Sequence, residues 1–297
     1  MTGEQDDFSH LDRAGRATAS LARSPRLTVN IAIAGSILLA WFILGAMAIR
    51  GAESRLPGAG APGDLILRHL PQLPLPDVLD RFFGLCLTPA PLDGGGAQFL
   101  ALIAMWFLMA VATMLLSAAP MIRTYCEIAD TARIKGEPVA HPLILAAGYL
   151  CTWLVASAGF ATLTLAVHSF ASSARLLDPV SGFAAAAALL VAGLYQFNNL
   201  KQACLTKCRN PFATLFSNWS AEPGRIFRLG LEQGLWCLGC CWALMLVMFA
   251  VGAMNVFWMA LIGLFTLIEK QTTGRLPTRV AGAILLVWAV ALLVISA

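Results

Sequence analysis

Charged side chains are scarce in this sequence. They make up 12% of its 297 residues, whereas a soluble domain carries about 25%. Apolar residues make up 59% of the chain, and the mean hydropathy is +0.75. Most of the chain therefore has no contact with water, and the composition predicts an integral membrane protein.

Enzyme signatures are also missing. The sequence has no glycine-rich phosphate loop, no HExxH motif, no nucleophile elbow and no paired carboxylates within an apolar run. No basic stripe is interleaved with aromatic residues, so we expect no nucleic-acid partner. These absences favour a protein that is not an enzyme and whose main partner is the lipid bilayer.

Seven apolar segments approach the roughly 20 residues that a membrane-spanning helix needs. They predict an all-α fold, a polytopic transmembrane helical bundle with about seven spans: 27–49, 98–120, 142–167, 181–199, 236–252, 254–268 and 280–296. As one helix, residues 236–268 would reach about 50 Å, beyond a hydrocarbon core of about 30 Å. Gly252 and Asn255 mark a reversal that divides this stretch, and a single tilted helix is the alternative.

Basic residues predict the orientation of these spans. With the N-terminus in the cytoplasm, 15 Lys and Arg lie on the inner side and 5 on the outer side, as the positive-inside rule requires. We expect a multi-pass protein of a bacterial inner membrane. The expected parts are a cytoplasmic tail (1–26), a retained first span (27–49), an external Pro/Gly-rich loop with a short helix near 77–85 (50–97), a membrane core with both cysteine motifs (98–279) and a last span (280–297).

Five of the eight cysteines cluster in the second half of the chain, which is not the pattern of a disulfide-stapled domain. Cys204 and Cys208 are four residues apart, so on a helix they share one face and can clamp one metal ion. We expect the nearby Lys201, Lys207 and Arg209 to lower the pKa of these thiols. The alternative is a pair of small hydrophobic core residues.

The second motif is Cys237, Cys240 and Cys241, which also share one helical face. A CxxC spacing is typical of zinc sites in loops and of dithiol oxidoreductases in helices, and an inert cysteine-rich helix is the third alternative. Met245 and Met248 continue the same face. Thioethers combined with thiolates select Cu(I) over harder cations, although methionine is also an ordinary core residue.

Three blocks of the sequence resemble one uncharacterised family, described as predicted metal-binding integral membrane proteins. The blocks are 105–122, which ends near Pro120-Met121, 195–211, which holds the CxxxC motif, and 234–270, which holds the CxxCC motif and ends at Glu269-Lys270. Glu269 and Lys270 read as a local ion pair. The resemblance implies a polytopic fold and metal binding by the cysteines.

The chain departs from the family pattern at Gln233, where the family carries a histidine. Loss of that nitrogen ligand favours a sulfur-only site and a softer ion, or else a chain that kept the fold and lost the site. Asn198 and Asn199 replace Thr-Pro, and Thr113 and Leu116 stand where Met and Pro are common.

The stretch between the two motifs, 210–233, is expected to loop back and bring the five thiols together at the inner membrane face. The sequence therefore predicts a soft-metal site for Cu(I), or less readily Zn²⁺, that serves metal handling or delivery. Its ligands would be Cys204, Cys208, Cys237, Cys240 and Cys241, with Met245 and Met248 as secondary ligands. The alternatives are a non-catalytic subunit or assembly partner of a larger membrane complex, and a membrane thiol–disulfide redox protein.

Overall fold

A computed structural model of the chain describes residues 25–54, 67, 69, 76–87, 95–173, 178–251 and 255–296. Within these ranges the chain is helical apart from short turns, and it contains no strand. The helices are α1 (Pro25–Ser54), α2 (Asp77–Leu87), α3 (Gly95–Ala110), α4 (Leu116–Ile134), α5 (Pro142–Ser173), α6 (Asp178–Tyr195), α7 (Asn199–Arg209), α8 (Pro211–Ser217), α9 (Pro223–Val251), α10 (Val256–Gln271) and α11 (Leu276–Ser296). A π-helical turn (Val111–Leu115) joins α3 to α4 without a break.

The all-α prediction is confirmed, and every predicted span falls on a helix. Five helical stretches are long and apolar enough to cross a membrane: Arg26–Ala52, Gly95–Ile134, Pro142–Ser169, Pro223–Val251 and Leu276–Ile295. A sixth is added if α6 and α7, which meet at a bend of 66°, together form one span. The remaining predicted span, 254–268, corresponds to α10, which has only 16 residues. The side of the N-terminus stays a prediction, and residues 1–24 of the expected tail lie outside the described ranges.

The reversal expected between α9 and α10 is present. Asn255 caps α10 by accepting a hydrogen bond from the backbone N–H of Trp258 at 3.2 Å. Lys270 Nζ lies 3.1 Å from Cys237 Sγ, so α10 returns alongside α9, and the alternative of one long tilted helix is wrong. Gly252, the other residue of the expected turn, lies outside the described ranges.

Two helices extend far beyond their predicted spans. The stretch Gly95–Ile134 has 40 residues, about 60 Å at 1.5 Å per residue, where only 98–120 was expected. The helix ends at Ile134, and two residues later Gly136 has a positive φ of 75°, which suits a residue without a Cβ just past a helix end. Similarly, α9 begins at Pro223, inside the stretch expected to loop back. Apolarity marks only the lipid-buried part of a helix, and polar residues continue the same helix outside the membrane.

Helix α9 occupies the centre of the bundle. It packs against α5, α6 and α7, while α11 covers α6 and α3 packs on α5. The π-helical turn contacts α1 and α10. Both cysteine motifs are therefore carried by neighbouring helices, since α7 lies directly against α9.

Close approach of α5 to α9 depends on glycines. A Cβ added at Gly148 would lie 2.2 Å from the backbone oxygen of Phe227, and one at Gly230 would lie 2.2 Å from the oxygen of Leu145. One turn further along α9, Gly234 faces Thr152. Small residues at helix crossings are the usual basis of packing in membranes, where lipid removes most of the hydrophobic driving force between helices.

An aromatic stack ties α3 to the same two helices. The ring of Trp106 lies 4.9 Å from that of Phe160 on α5 and 5.3 Å from that of Phe249 on α9. Its indole N–H donates to Thr164 Oγ1 at 3.0 Å, so the buried polar atom is satisfied. The stack fixes α3, and with it the π-helical turn that follows, relative to α9.

We expect Gly230→Ala to destabilise the protein in detergent by about 1–3 kcal/mol, because the new methyl group would collide with the α5 backbone. Gly159→Ala, on α5, is the matched control: its Cβ would meet nothing within 4 Å. The melting temperatures of the two purified variants check this. Equal melting temperatures would show that the α5–α9 crossing is not close-packed at Gly230.

Candidate metal centre

Three thiols of α9 form a compact group. The Sγ atoms of Cys237, Cys240 and Cys241 all lie within 4.8 Å of one another, and all three residues are buried. With a metal–sulfur bond of about 2.3 Å, two ligand sulfurs lie no more than about 4.6 Å apart. The three sulfurs thus have nearly the spacing of ligands to one ion. Helical geometry alone explains this, because the residues are related as i, i+3 and i+4.

Local hydrogen bonds hold two of these thiols. Cys240 and Cys241 both donate to the backbone oxygen of Cys237, at 3.0 Å and 2.8 Å. Both sulfurs are therefore held on the same side of the helix as Cys237.

The bend between α6 and α7 brings the other motif to this group. The side chain of Asn198 caps α7 by accepting a hydrogen bond from the N–H of Leu200 at 2.8 Å. The Sγ of Cys204 lies against Gly239, where an added Cβ would come within 2.6 Å of it. One turn on, Cys208 lies next to Cys240, outside the group of three thiols whose sulfurs are within 4.8 Å of one another. The structure thus places α7 against the part of α9 that carries the three thiols. Gly239 lies two residues from Cys237, so Cys204 is on a different side of α9 from the face that the three thiols share, and one site formed by all five thiols stays a prediction.

A methionine from the π-helical turn completes the sulfur cluster, by which we mean the five thiols together with Met114. Met114 Sδ lies 3.4 Å from Cys241 Sγ. In a π-helical turn, residues five apart align on one face, so Met114 falls in line with Met109 and Met105 of α3. Nothing in the hydrophobic pattern of the sequence predicts the turn that directs Met114 to Cys241.

Polar side chains surround Cys237. The Tyr149 hydroxyl lies 3.0 Å from its sulfur and donates to the backbone oxygen of Met114 at 2.9 Å. Lys270 Nζ lies 3.1 Å from the same sulfur and donates to Ser117 Oγ at 2.6 Å. Neither Tyr149 nor Ser117 carries a pattern that identifies it in the sequence.

The cation at the thiols is not one of those expected. Lys207 is exposed, and the Arg209 guanidinium donates to the backbone oxygen of Glu269 at 2.8 Å. Lys201 is fully buried and pairs with Glu269 at 2.9 Å. Glu269 and Lys270 therefore do not form the expected local pair, because consecutive residues of a helix point in different directions.

A buried polar network surrounds the Lys201–Glu269 pair. The ammonium of Lys201 also donates to Gln196 Oε1, and Thr278 of α11 donates to Glu269 Oε1 at 2.7 Å. The pair joins α7 to α10 through two side chains with 0% and 1% exposure. Charged side chains buried inside a protein are uncommon, and pairing with further hydrogen bonds offsets the cost of their burial.

The secondary ligands expected from the sequence lie further along α9. Met245 and Met248 are buried one and two turns beyond Cys241 on the same face. Gln233 is buried one turn before Cys237, and its Nε2 has no hydrogen-bond partner among the described residues. The cysteines without an expected role, Cys126 and Cys151, lie on α4 and α5.

The remaining thiol, Cys86, lies on α2, outside the membrane-spanning stretches. Burial raises the pKa of Cys86 from 9.0 to about 12, because the low-polarity surroundings disfavour the thiolate. Only a thiolate binds a metal ion or attacks a disulfide. Cys86 donates to the backbone oxygen of Ala101 at 3.5 Å and packs between α2 and α3.

Comparison with protein families identifies this chain. A family model described as "PpoB2: Copper chaperone" matches residues 103–292, more than half of the chain, and the chain belongs to this family. The match covers both cysteine motifs and Met114, and it confirms the resemblance to metal-binding membrane proteins. Comparison with curated proteins and with solved structures found no match.

The buried ion pair gives a direct stability test. We expect Glu269→Gln to cost about 3–5 kcal/mol, because it leaves Lys201 as an unpaired buried charge. Glu232→Gln is the matched control: it breaks the exposed pair of Glu232 with Arg228 (3.2 Å) and should cost about 0–1 kcal/mol. Thermal unfolding in detergent measures both changes, and equal costs would mean that the Lys201–Glu269 pair is solvated.

Proposed function

We propose that this member of the PpoB2 family binds Cu(I) through its clustered thiols and passes the ion on to an acceptor at the membrane. The observation that carries the proposal is the convergence of sulfur: three Sγ atoms within 4.8 Å of one another and the Met114 thioether 3.4 Å from Cys241 Sγ. Cys208, beside Cys240, and Cys204, beside Gly239, enlarge the ligand set.

The donor atoms favour Cu(I) over Zn²⁺. Thiolates suit both Cu(I) and Zn²⁺, and some Zn²⁺ sites consist of thiolates alone, but a thioether such as that of Met114 is a ligand for Cu(I) and not for Zn²⁺. The described part of the chain places no histidine or carboxylate in the group of three thiols. Lys270 next to Cys237 also favours a monovalent ion, because two thiolates with Cu(I) carry one negative charge that the ammonium balances in a dry site.

The surroundings of the cluster suit the handling of a cargo ion. The five thiols are free, so they are available as ligands, and most are buried away from water and oxidants. We place the cluster near the cytoplasmic face of a bacterial inner membrane, where the basic residues concentrate, and we place a copper-requiring membrane or exported protein downstream.

The first test replaces the five clustered cysteines by serine. Purified anaerobically and loaded with Cu(I) against a competing chelator, the native protein should retain about one ion per chain, and the five-serine variant should retain none. The control variant replaces Cys86, Cys126 and Cys151 by serine and should bind as the native protein does.

An unchanged copper content in the five-serine variant would eliminate the proposal. It would then favour the two alternatives, a non-catalytic subunit of a larger membrane complex or a thiol–disulfide redox protein. Co-purification in mild detergent detects the first, and differential alkylation of the cysteines detects the second.

The second test concerns the thioether. We expect Met114→Leu to weaken Cu(I) binding about tenfold, which corresponds to about 1.4 kcal/mol, and to leave Zn²⁺ binding unchanged, since a thioether contributes only to soft ions. Leu and Met have similar volumes, so the fold should tolerate the change. Met47→Leu, at a fully buried residue of α1, is the control. Equal Cu(I) affinities of both variants would remove Met114 from the ligand set.

A further inference from the structure

The five thiols of the sulfur cluster differ in their exposure. Cys204, Cys237, Cys240 and Cys241 are between 0% and 4% exposed, whereas Cys208 is partly exposed. Among the polar residues at the cluster, Tyr149 and Ser117 are buried and Lys270 is partly exposed. The cluster is therefore least buried at Cys208 and Lys270, which we call the mouth; the ammonium of Lys270 points inward from there, to Ser117 Oγ and Cys237 Sγ.

The two residues of the mouth lie over different thiols of the buried group. Cys208 interacts with Cys240, and Lys270 Nζ is 3.1 Å from Cys237 Sγ. Each is at the end of a helix, α7 and α10, and the Arg209 guanidinium joins these ends by donating to the backbone oxygen of Glu269 at 3.1 Å and 2.8 Å. An ion bound at Cys208 is thus next to Cys240, one of the buried thiols that bind the ion afterwards.

The charge at the mouth is positive. Within the described ranges, Lys270 forms no ion pair with a carboxylate, and the neighbouring Glu269 is engaged by Lys201 and Thr278. Basic residues Lys207, Arg209 and Arg275 flank the mouth along the chain. Such a site attracts an anionic ligand and repels a cation.

We propose that Cys208 is the entry thiol of the sulfur cluster and that it accepts Cu(I) from an anionic, two-coordinate cuprous thiolate complex. This inference rests on the proposed function and names the form in which the cargo arrives. Cu(I) bound by two thiolates carries one negative charge, which the mouth attracts. Burial of the other four thiols leaves Cys208 as the first accessible ligand.

The exchange is a ligand substitution without any change of oxidation state. The sulfur of Cys208 forms a bond to copper, the bond from copper to one donor thiolate breaks, and the proton of the Cys208 thiol leaves with the released donor as a free thiol. Atoms and charge balance, and the copper stays Cu(I). A second substitution by Cys240, which adjoins Cys208, releases the other donor thiol and moves the ion into the buried group.

Transfer kinetics test the role of Cys208. Cu(I) is presented anaerobically as its glutathione complex, and copper on the protein is measured after rapid desalting at increasing times. We expect Cys208→Ser to slow uptake at least about tenfold, with a smaller loss in equilibrium affinity, since the remaining thiols still hold the ion. Cys151→Ser is the matched control, because Cys151 is also partly exposed but lies on α5, away from the cluster.

The charge of the donor tests the role of Lys270. Lys270→Met should slow uptake from the anionic glutathione complex by about threefold to tenfold, the lower range of electrostatic steering effects. It should not slow uptake from the cationic acetonitrile complex of Cu(I). Lys270→Arg should restore the native rate. A purely structural defect would slow uptake from both donors and would not be rescued by arginine.

Brief maleimide labelling of the native protein gives a readout that needs no variant. Among the clustered cysteines, Cys208 should be modified first, and copper loading should protect it while Cys151 stays reactive. Earlier labelling of a buried thiol, or uptake by Cys208→Ser at the native rate, overturns the entry role but leaves the proposed function intact. A native protein that takes copper from neither donor refutes the proposed function, and the entry role with it.

Discussion

The buried ion pair between Lys201 and Glu269 determines the geometry on which the sulfur cluster depends. Lys201 lies one turn before Cys204 on α7, and Glu269 precedes Lys270 on α10, so the 2.9 Å contact sets the position of both helices above α9. Burying two charges is costly, and their attraction offsets that cost only when further hydrogen bonds satisfy both groups. Gln196 and Thr278 provide those hydrogen bonds. These bonds form only when the side chains of Lys201 and Glu269 take one defined position.

Backbone groups within a membrane must also find partners, and this constraint explains the π-helical turn. Widening the helix at Val111–Leu115 frees carbonyl groups from regular pairing. The Trp41 indole on α1 donates to the oxygen of Ala112 at 3.0 Å, and Tyr149 on α5 donates to that of Met114. The residues that satisfy the turn therefore also join neighbouring helices, and the turn directs Met114 towards α9.

Much of this arrangement follows from sequence periodicity, and some of it does not. Spacing of three and four residues places Cys237, Cys240 and Cys241 on one face whatever the tertiary structure. The position of Cys208 next to Cys240 depends in addition on the bend between α6 and α7, which only the polar residues before α7 suggest. Met114 and Lys270 reach the cluster through a π-helical turn and a helix reversal, and neither changes the hydrophobic pattern enough to fix the direction of one side chain.

Departures from the family pattern bear on whether the site is intact in this chain. Asn198 replaces a threonine and still caps α7, whose start sets the direction of Cys204 and Cys208. Thr113 replaces a methionine, and its hydroxyl donates to the oxygen of Met109 inside the π-helical turn at 2.7 Å. The cap, the turn and the buried pair of Lys201 with Glu269 hold the helices around the three thiols of α9, so these departures leave the helix packing at the thiols in place. Gln233 stands where the resemblance places a histidine, and its buried amide nitrogen has no hydrogen-bond partner among the described residues.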